Sequence, residues 1–245
     1  MAEMTGGQAI VRSLAGYGVD TIFTLPGVQL DNIFDALYEA RDDIRVIHTR
    51  HEQATAYMAF GYAQATGKVG VCLVVPGPGL LNASGALSTA WACNSPVLCL
   101  TGQIFDHQIG KQMGALHEIP DQLGMIGHIA KWTASVNTPK DAPAAVQEAF
   151  RQLTSGRPRP VVIEMPPGVM GEPGDVTLLD PASNGASPEL DEDALDKAAK
   201  ILGKAKYPVI FAGGGAIDAG DGLRQLAETL QAPIVMTPAG KGALS

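Results

Sequence analysis

The sequence predicts an α/β fold: a doubly wound parallel sheet covered by helices on both faces, followed by an incomplete second α/β domain. Two observations carry this prediction. Short apolar segments alternate with helical segments from residue 5 to about 168, which is typical of a parallel sheet buried on both faces. The composition agrees, because 46% of the residues are hydrophobic but only 5% are aromatic, so the core must be aliphatic.

Each element follows from local pattern and from the residues that interrupt it. A short apolar run bounded by Gly, Pro or polar residues predicts a strand. The longer segment 52–66 predicts a helix that ends at Gly67, since glycine accepts a left-handed backbone. The predicted helices of the first domain are 7–17, 31–40, 52–66, 80–94 and 142–154, and its predicted strands are 21–24, 46–49, 69–75, 96–101 and 160–164.

The chain is predicted to contain two domains and a linker. The first domain comprises residues 1–168. Residues 169–188 are rich in Pro, Gly, Asp and Ser and lack periodicity, which indicates a linker. Residues 189–245 are predicted to form part of a central domain, with helices at 192–202 and 222–230 and strands at 208–212 and 233–236.

Charge and hydropathy exclude several classes of partner. The net charge of −8 is offset by no cluster of basic residues, which argues against nucleic acid. No apolar run is long enough to span a membrane, and the first residues do not resemble a signal peptide. The three cysteines have no C-x-x-C spacing and indicate free thiols in a reducing cytoplasm.

A carboxylate and two Gly/Pro loops are predicted to meet at one edge of the sheet. Glu52 begins a helix shortly after one predicted strand, Pro26 and Gly27 follow a second, and the segment from Pro76 to Gly79 follows a third. Open α/β sheets bind ligands at the carboxyl ends of their strands. Taken alone, Glu52 would be interpreted as an acidic residue in the first turn of a helix, where the helix dipole stabilises it, and only the surrounding motifs favour a functional role.

The order and spacing of these motifs resemble the pyrimidine-binding domain of thiamine-diphosphate enzymes, specifically the acetolactate synthase, pyruvate oxidase and benzoylformate decarboxylase group. The likeness covers nearly the whole chain and resides in GGQAIV from Gly6, GVDTIFTLPG from Gly18, RHEQA from Arg50, VVPGPGLLN from Val74, PVLCLTGQ from Pro96, SGRPRPV from Ser155 and PVIFAGGG from Pro208. It implies a transferase or lyase that uses thiamine diphosphate and magnesium to decarboxylate a small 2-oxo acid and join carbon atoms.

The resemblance also assigns roles to residues. It implies that Glu52, shielded from water, shares a proton with the aminopyrimidine ring of the cofactor and so activates it. Asn82 would pack against the cofactor or cap the helix that follows, and the sequence leaves both roles open. The residues placed against the cofactor are Pro26, Gly27, Val28, Glu52, Val75, Pro76, Gly79 and Asn82.

His117 is the second catalytic candidate. It lies in the long loop-like segment 106–122, where acetolactate synthases carry Phe-Gln-Glu in place of Leu116-His117-Glu118. His117 would act as an acid or base near the substrate. The alternative is a solvent-exposed loop histidine.

The metal and nucleotide sites stay open at this stage. The segment Gly220-Asp221-Gly222 matches part of the magnesium motif of the family, but no asparagine follows it. We therefore interpret Asp221 as a turn or helix-start residue and expect the magnesium ligands beyond residue 245. The Gly-rich turn 213–215 follows a predicted strand and leaves FAD or ADP binding undecided.

The resemblance implies a homodimer or homotetramer with the cofactor at the subunit interface. The chain by itself is expected to be inactive, because the diphosphate-binding motif of the family is missing from it. Two other functions stay open. The chain would be a catalytically silent fragment or a subunit that needs a separate diphosphate-binding chain, or it would be a nucleotide- or flavin-binding module.

Overall fold

The structure, a computed structural model, describes residues 1–182 and 189–244. The chain divides into two compact units, Met1–Asn184 and Gly185–Ser245. The division lies within the predicted linker, of which residues 183–188 lie outside the described residues.

The first unit contains a parallel six-stranded sheet. The strands of this unit are β1 (Ala2–Thr5), β2 (Thr21–Thr24), β3 (Arg45–His48), β4 (Gly70–Val74), β5 (Val97–Gly102), β6 (Trp132–Ser135), β7 (Val161–Met165) and β8 (Pro173–Val176). The sheet has the order β3-β2-β4-β5-β7-β6, with all neighbours parallel, and β1 pairs separately with β8 in antiparallel fashion.

Helices cover both faces of this sheet. They are α1 (Gly6–Gly16), α2 (Asp31–Glu39), α3 (Glu52–Thr66), α4 (Pro78–Ala92), α5 (Gln122–Gly127), α6 (Ala142–Thr154) and α7 (Pro167–Gly171). One core cluster joins the sheet to α1, α2 and α6, and the other joins it to α3, α4 and α5. Successive residues of β4 alternate between the clusters, with Leu73 in the first and Cys72 and Val74 in the second, because side chains along a strand point to opposite faces. The predicted fold class is confirmed.

Five elements of the first unit were not predicted from the sequence: β1, β6, β8, α5 and α7. Strand β6 was not predicted, because Trp132–Ser135 is a half-buried edge strand with only a short apolar signal. Helix α7 and strand β8 occupy residues that we predicted as the start of the linker. They belong to the first unit because β8 pairs with β1 and Val169 and Met170 of α7 are buried in its core.

The second unit has fewer described residues than the first. It contains α8 (Glu192–Leu202), β9 (Ile210–Ala212), α9 (Gly220–Leu230) and β10 (Ile234–Met236), and its two strands pair in parallel. Asp221 lies in the first turn of α9, which agrees with its interpretation as a helix-start residue. In the part of the chain that the structure describes, no helix is both long and apolar enough to cross a bilayer.

Candidate functional site

The predicted site residues gather where the connections of the sheet diverge. From β2 the chain crosses to β3 on one side, and from β4 it crosses to β5 on the other. Open α/β sheets bind ligands at such a switch point, outside the carboxyl ends of the strands. Gly27 follows β2, Glu52 follows β3 and Val75 follows β4, so all three lie at this edge.

Glu52 is held in place as the first residue of α3. His51 caps the helix, since its Nδ1 accepts a hydrogen bond of 3.1 Å from the backbone N–H of Gln53. At the other end, Gly67 adopts the left-handed conformation that the sequence predicted. The Glu52 side chain is half-buried, and its Oε2 accepts a hydrogen bond of 3.0 Å from Nδ2 of Asn82. Within the described residues, Oε1 has no hydrogen-bond partner.

Val75 fills the space between the two Gly/Pro loops. A Cβ atom at Gly27 would lie 2.4 Å from Cγ1 of Val75, and one at Gly79 would lie 2.5 Å from its Cγ2. The same Cβ at Gly79 would lie 3.5 Å from Oε1 of Glu52. The two loops and the carboxylate are therefore neighbours, and we call Gly27, Glu52, Val75, Gly79 and Asn82 the Glu52 cluster.

The start of α4 corrects one interpretation of Asn82. We predicted the helix from residue 80, where Asn82 would lie near the cap, but α4 begins at Pro78 and Gly77 is its N-terminal cap. A proline in the first turn loses no intrahelical hydrogen bond, so the helix starts earlier than predicted. Asn82 lies inside the helix and binds Glu52 instead of capping.

The remaining predicted residues surround this cluster. Pro26 and Val28 flank Gly27 and are exposed, and Val28 retains 55% of its accessible surface. Pro76, the first residue of the second loop, is buried, and its Cδ would lie 3.1 Å from a Cβ at Gly102.

His117 lies against the second loop. Its carbonyl oxygen would be 2.3 Å from a Cβ at Gly77, so the two backbones pack closely. The His117 side chain is half-buried, and its Nδ1 is a buried atom without a partner in the described part of the chain. Gln29, which the sequence did not single out, has a similarly unpartnered Oε1 and is 3% exposed.

A second group of residues was missed by the sequence prediction. Gln122 accepts a hydrogen bond of 2.8 Å from the backbone N–H of Gly77 and donates one of 2.9 Å to Glu164. Gln103 donates to the same Glu164 oxygen at 3.2 Å. We call Gly77, Gln103, Gln122 and Glu164 the Glu164 network. Burial raises the pKa of Glu164 above its ordinary value, although hydrogen bonds from Gln122, Ser135 and Gln103 act in the opposite direction.

The residues of the Glu52 cluster fit the pyrimidine half of thiamine diphosphate. The unengaged Oε1 of Glu52 can exchange a hydrogen bond with a ring nitrogen, and the missing side chain of Gly79 leaves that oxygen accessible. They do not fit the metal-bound half. Among the described residues, no group of three or more His, Cys, Asp or Glu side chains is arranged to hold a metal ion.

Two family models match the chain. The model described as "Thiamine pyrophosphate enzyme, N-terminal TPP binding domain" matches residues 4–125. The model described as "Thiamine pyrophosphate enzyme, central domain" matches residues 195–245. The Glu52 cluster lies entirely within the first match.

The curated relatives of the chain include a decarboxylase and acetolactate synthases. A probable 2-ketoarginine decarboxylase of Pseudomonas aeruginosa is 40% identical over 243 residues, which cover 98% of this chain and 43% of the relative. A probable acetolactate synthase large subunit of Methanocaldococcus jannaschii is 39% identical, with coverage of 98% and 41%. An acetolactate synthase of Arthrospira platensis is 37% identical, with coverage of 98% and 42%. The chain thus spans less than half the length of these relatives.

Proposed function

Since this chain belongs to the thiamine pyrophosphate enzyme family, we propose that it supplies the pyrimidine-binding part of an enzyme that decarboxylates a 2-oxo acid. The enzyme would resemble acetolactate synthase in joining the remaining carbon fragment to an acceptor. The observation that carries the proposal is the position of Glu52 beside both Gly/Pro loops at the switch point of the sheet.

The chemistry divides between the cofactor and the chain. When bound, thiamine diphosphate would supply a carbon nucleophile for the 2-oxo group and an electron sink for the loss of carbon dioxide. Glu52 would hold a proton at Oε1 against a nitrogen of the pyrimidine ring. Asn82 would keep the carboxyl group in that orientation through its hydrogen bond to Oε2. Val75 and Gly79 would orient the ring, since they border the carboxylate.

His117 would lie at the substrate side of this arrangement. Its backbone packs on Gly77, and among the described residues its buried Nδ1 has no partner, so the imidazole is available to exchange a proton with a bound substrate. The expected result for His117→Ala is a fall in kcat with little change in cofactor affinity. A loss of cofactor affinity as large as the loss of kcat would contradict this role.

The most informative experiment compares two glutamates. Glu52 and Glu192 are each the first residue of a helix, α3 and α8. In the complete enzyme, Glu52→Gln should lower kcat about a hundredfold or more, since a proton-transfer group contributes about 10²–10⁴-fold. Glu192→Gln should leave kcat unchanged. Equal effects would mean that Glu52 acts only on the helix dipole.

Cofactor binding gives a second readout. Titration calorimetry with thiamine diphosphate and magnesium should show weaker binding to the Glu52→Gln enzyme than to wild type. A complete enzyme that does not bind the cofactor would instead support the catalytically silent alternative. Assays with pyruvate and with 2-ketoarginine, side by side, would then identify the 2-oxo acid that is consumed.

We further propose a homodimer in which a second subunit covers the Glu52 cluster. In the chain by itself Glu52 is only half-buried. Tyr57 and Met58 on α3, the helix that Glu52 begins, and Leu81 on α4, next to Asn82, are large hydrophobic residues with exposed side chains. Burying such side chains is what stabilises subunit interfaces. Met58→Asp should shift the complete enzyme towards monomer in light scattering and lower its activity, and an unchanged dimer would contradict this.

Magnesium and flavin complete the cofactor proposals. We propose that magnesium binds with the diphosphate at residues other than those described, so calorimetry with this chain and magnesium alone should show no binding. The alternative function, a nucleotide or flavin site, would lie in the second unit. The glycine turn after β9 favours it. Visible flavin absorption in the purified complete enzyme would establish it, and a colourless protein that binds no ADP would reject it.

A further inference from the structure

The Glu164 network contains buried polar groups that the proposed chemistry does not use. Gln122 is 2% exposed, and Gln103 and Glu164 are each 8% exposed. Buried polar groups need hydrogen-bond partners, and most such networks only stabilise a fold. This one differs because one of its ends is the backbone of the loop that carries Gly79.

That end is the N–H group of Gly77. Gly77 is buried with φ of +56°, a conformation that favours glycine, and it caps α4. Oε1 of Gln122 accepts its N–H hydrogen bond at 2.8 Å, across 45 residues of sequence. The loop between Val75 and Gly79 is therefore fixed at its middle by a side chain from α5.

Donor and acceptor matching sets the orientation of the Gln122 amide. Its Nε2 donates to the carbonyl of Gly102 at 2.9 Å and to Oε2 of Glu164 at 2.9 Å. An ionised carboxylate and a carbonyl only accept hydrogen bonds, so both require the NH₂ end of the amide. The oxygen end must then face Gly77.

We propose that Gln122, oriented by Glu164, is a positioning residue that holds the Pro76–Gly79 loop against Glu52. This inference rests on the proposed function, because the position of the loop matters for cofactor binding only if Glu52 binds the pyrimidine ring. Gly79 borders Oε1 of Glu52, and Asn82 on the same helix binds its Oε2. Loss of the hydrogen bond between Gly77 and Gln122 would therefore let Gly79 and Asn82 move away from the Glu52 carboxylate.

Three substitutions in the complete enzyme test this role. Gln122→Met removes the amide with little change in side-chain length and should weaken thiamine diphosphate binding about tenfold, which corresponds to about 1.4 kcal/mol. Glu164→Gln keeps an oxygen that accepts from Gln122, and its Kd should stay within about threefold of wild type. Gln103→Met is the matched control, because it removes a buried amide that does not contact Gly77.

A measurement without cofactor separates this inference from the proposed function. In single-residue hydrogen exchange, the N–H of Gly77 should exchange at least about tenfold faster in the Gln122→Met enzyme, but not in the Gln103→Met enzyme. Circular dichroism and thermal melting check that each variant folds. If Gln122→Met does not fold, Gln122→Asn, which keeps the amide on a shorter side chain, replaces it in the same comparison.

The outcomes are distinct. Failure of the wild-type enzyme to bind thiamine diphosphate would overturn the proposed function, whatever Gly77 does. If wild type binds the cofactor, an unchanged Kd in the Gln122 variant would overturn the positioning role. Equal weakening by Gln122→Met and Gln103→Met would also overturn it, since the network would then act only as part of the core.

Discussion

Two glutamates at the same edge of the sheet differ in burial and in hydrogen bonding. Glu164, at the end of β7, is buried and receives hydrogen bonds from Gln122 and Gln103. Glu52, just beyond β3, is half-buried, and its Oε1 has no partner among the described residues. A carboxylate whose hydrogen bonds the chain provides supports structure, whereas one that the chain leaves incomplete is suited to bind something else.

The largest effect is expected at Gly77, which links the two regions. In Gly77→Ala, the new Cβ would lie 2.3 Å from the carbonyl oxygen of His117, at a φ of +56° that alanine rarely adopts. We expect the free energy of unfolding to fall by about 2–4 kcal/mol in urea denaturation. The control is Gly61→Ala inside α3, where nothing lies within 4 Å of the new Cβ and stability should rise by up to about 1 kcal/mol. Equal effects would show that the Gly77 backbone is not constrained.

A smaller effect is expected at Gly27, within the Glu52 cluster. Gly27→Ala would place a Cβ 2.4 Å from Cγ1 of Val75, and this side chain has no room to turn because its other methyl group borders Gly79. The Kd for thiamine diphosphate should rise about tenfold, or about 1.4 kcal/mol. Adding Val75→Ala to the same enzyme should restore part of the affinity, because it removes the clash but also a side chain that borders the ring. Calorimetry of the single and double variants checks the coupling, which additive effects would contradict.

Acid–base linkage gives a weaker test of the Glu164 network. The pKa of Glu164 is raised chiefly by burial, and the negative charge of Asp121 adds to the rise, while Gln122, Ser135 and Gln103 lower it. Between the ordinary pKa of a glutamate and the raised pKa of Glu164, the folded state keeps a proton that the unfolded state has lost. Wild type therefore loses stability as pH rises through this range. Each pKa unit of the rise corresponds to about 1.4 kcal/mol. Glu164→Gln should lack this loss in urea denaturation measured from pH 4 upward, and parallel pH profiles would contradict it.

The smallest effect is expected at an exposed carboxylate. A hydrogen bond from Lys68, helped by those from Tyr62 and Thr21, lowers the pKa of Asp20 to about 2. Its contribution to stability is present above its ordinary pKa of 3.8 and is lost as pH falls towards 2. Solvent screens this pair, so Lys68→Met should change the acid dependence of the melting temperature by about 1 °C or less. A larger shift would mean that the pair is less exposed than the structure shows.

The sequence predicted the parts of the Glu52 cluster that depend on local pattern. Helix α3 begins at Glu52 and ends before Gly67 as expected, because a cap and a left-handed glycine are local signals. The two Gly/Pro loops lie beside Glu52 because parallel strands bring their carboxyl ends to one edge. The cofactor and catalytic roles assigned to the site residues, Glu52 and His117 included, stay predictions.

The Glu164 network could not be predicted in the same way. Glu164 looks like a polar residue that ends an apolar strand, and Gln122 lies in a segment that we interpreted as loop. Their significance depends on contacts between residues 42 and 45 positions apart, which no local period encodes. Strands β1 and β8 were missed for a related reason, since their pairing joins the two ends of the first unit.

The most direct test of the account is the structure of the complete enzyme with thiamine diphosphate bound. We predict that Oε1 of Glu52 lies about 2.6–3.2 Å from a nitrogen of the pyrimidine ring, with Asn82 still bound to Oε2. A ring bound elsewhere, with every one of its nitrogens more than about 3.5 Å from this carboxylate, would contradict the account.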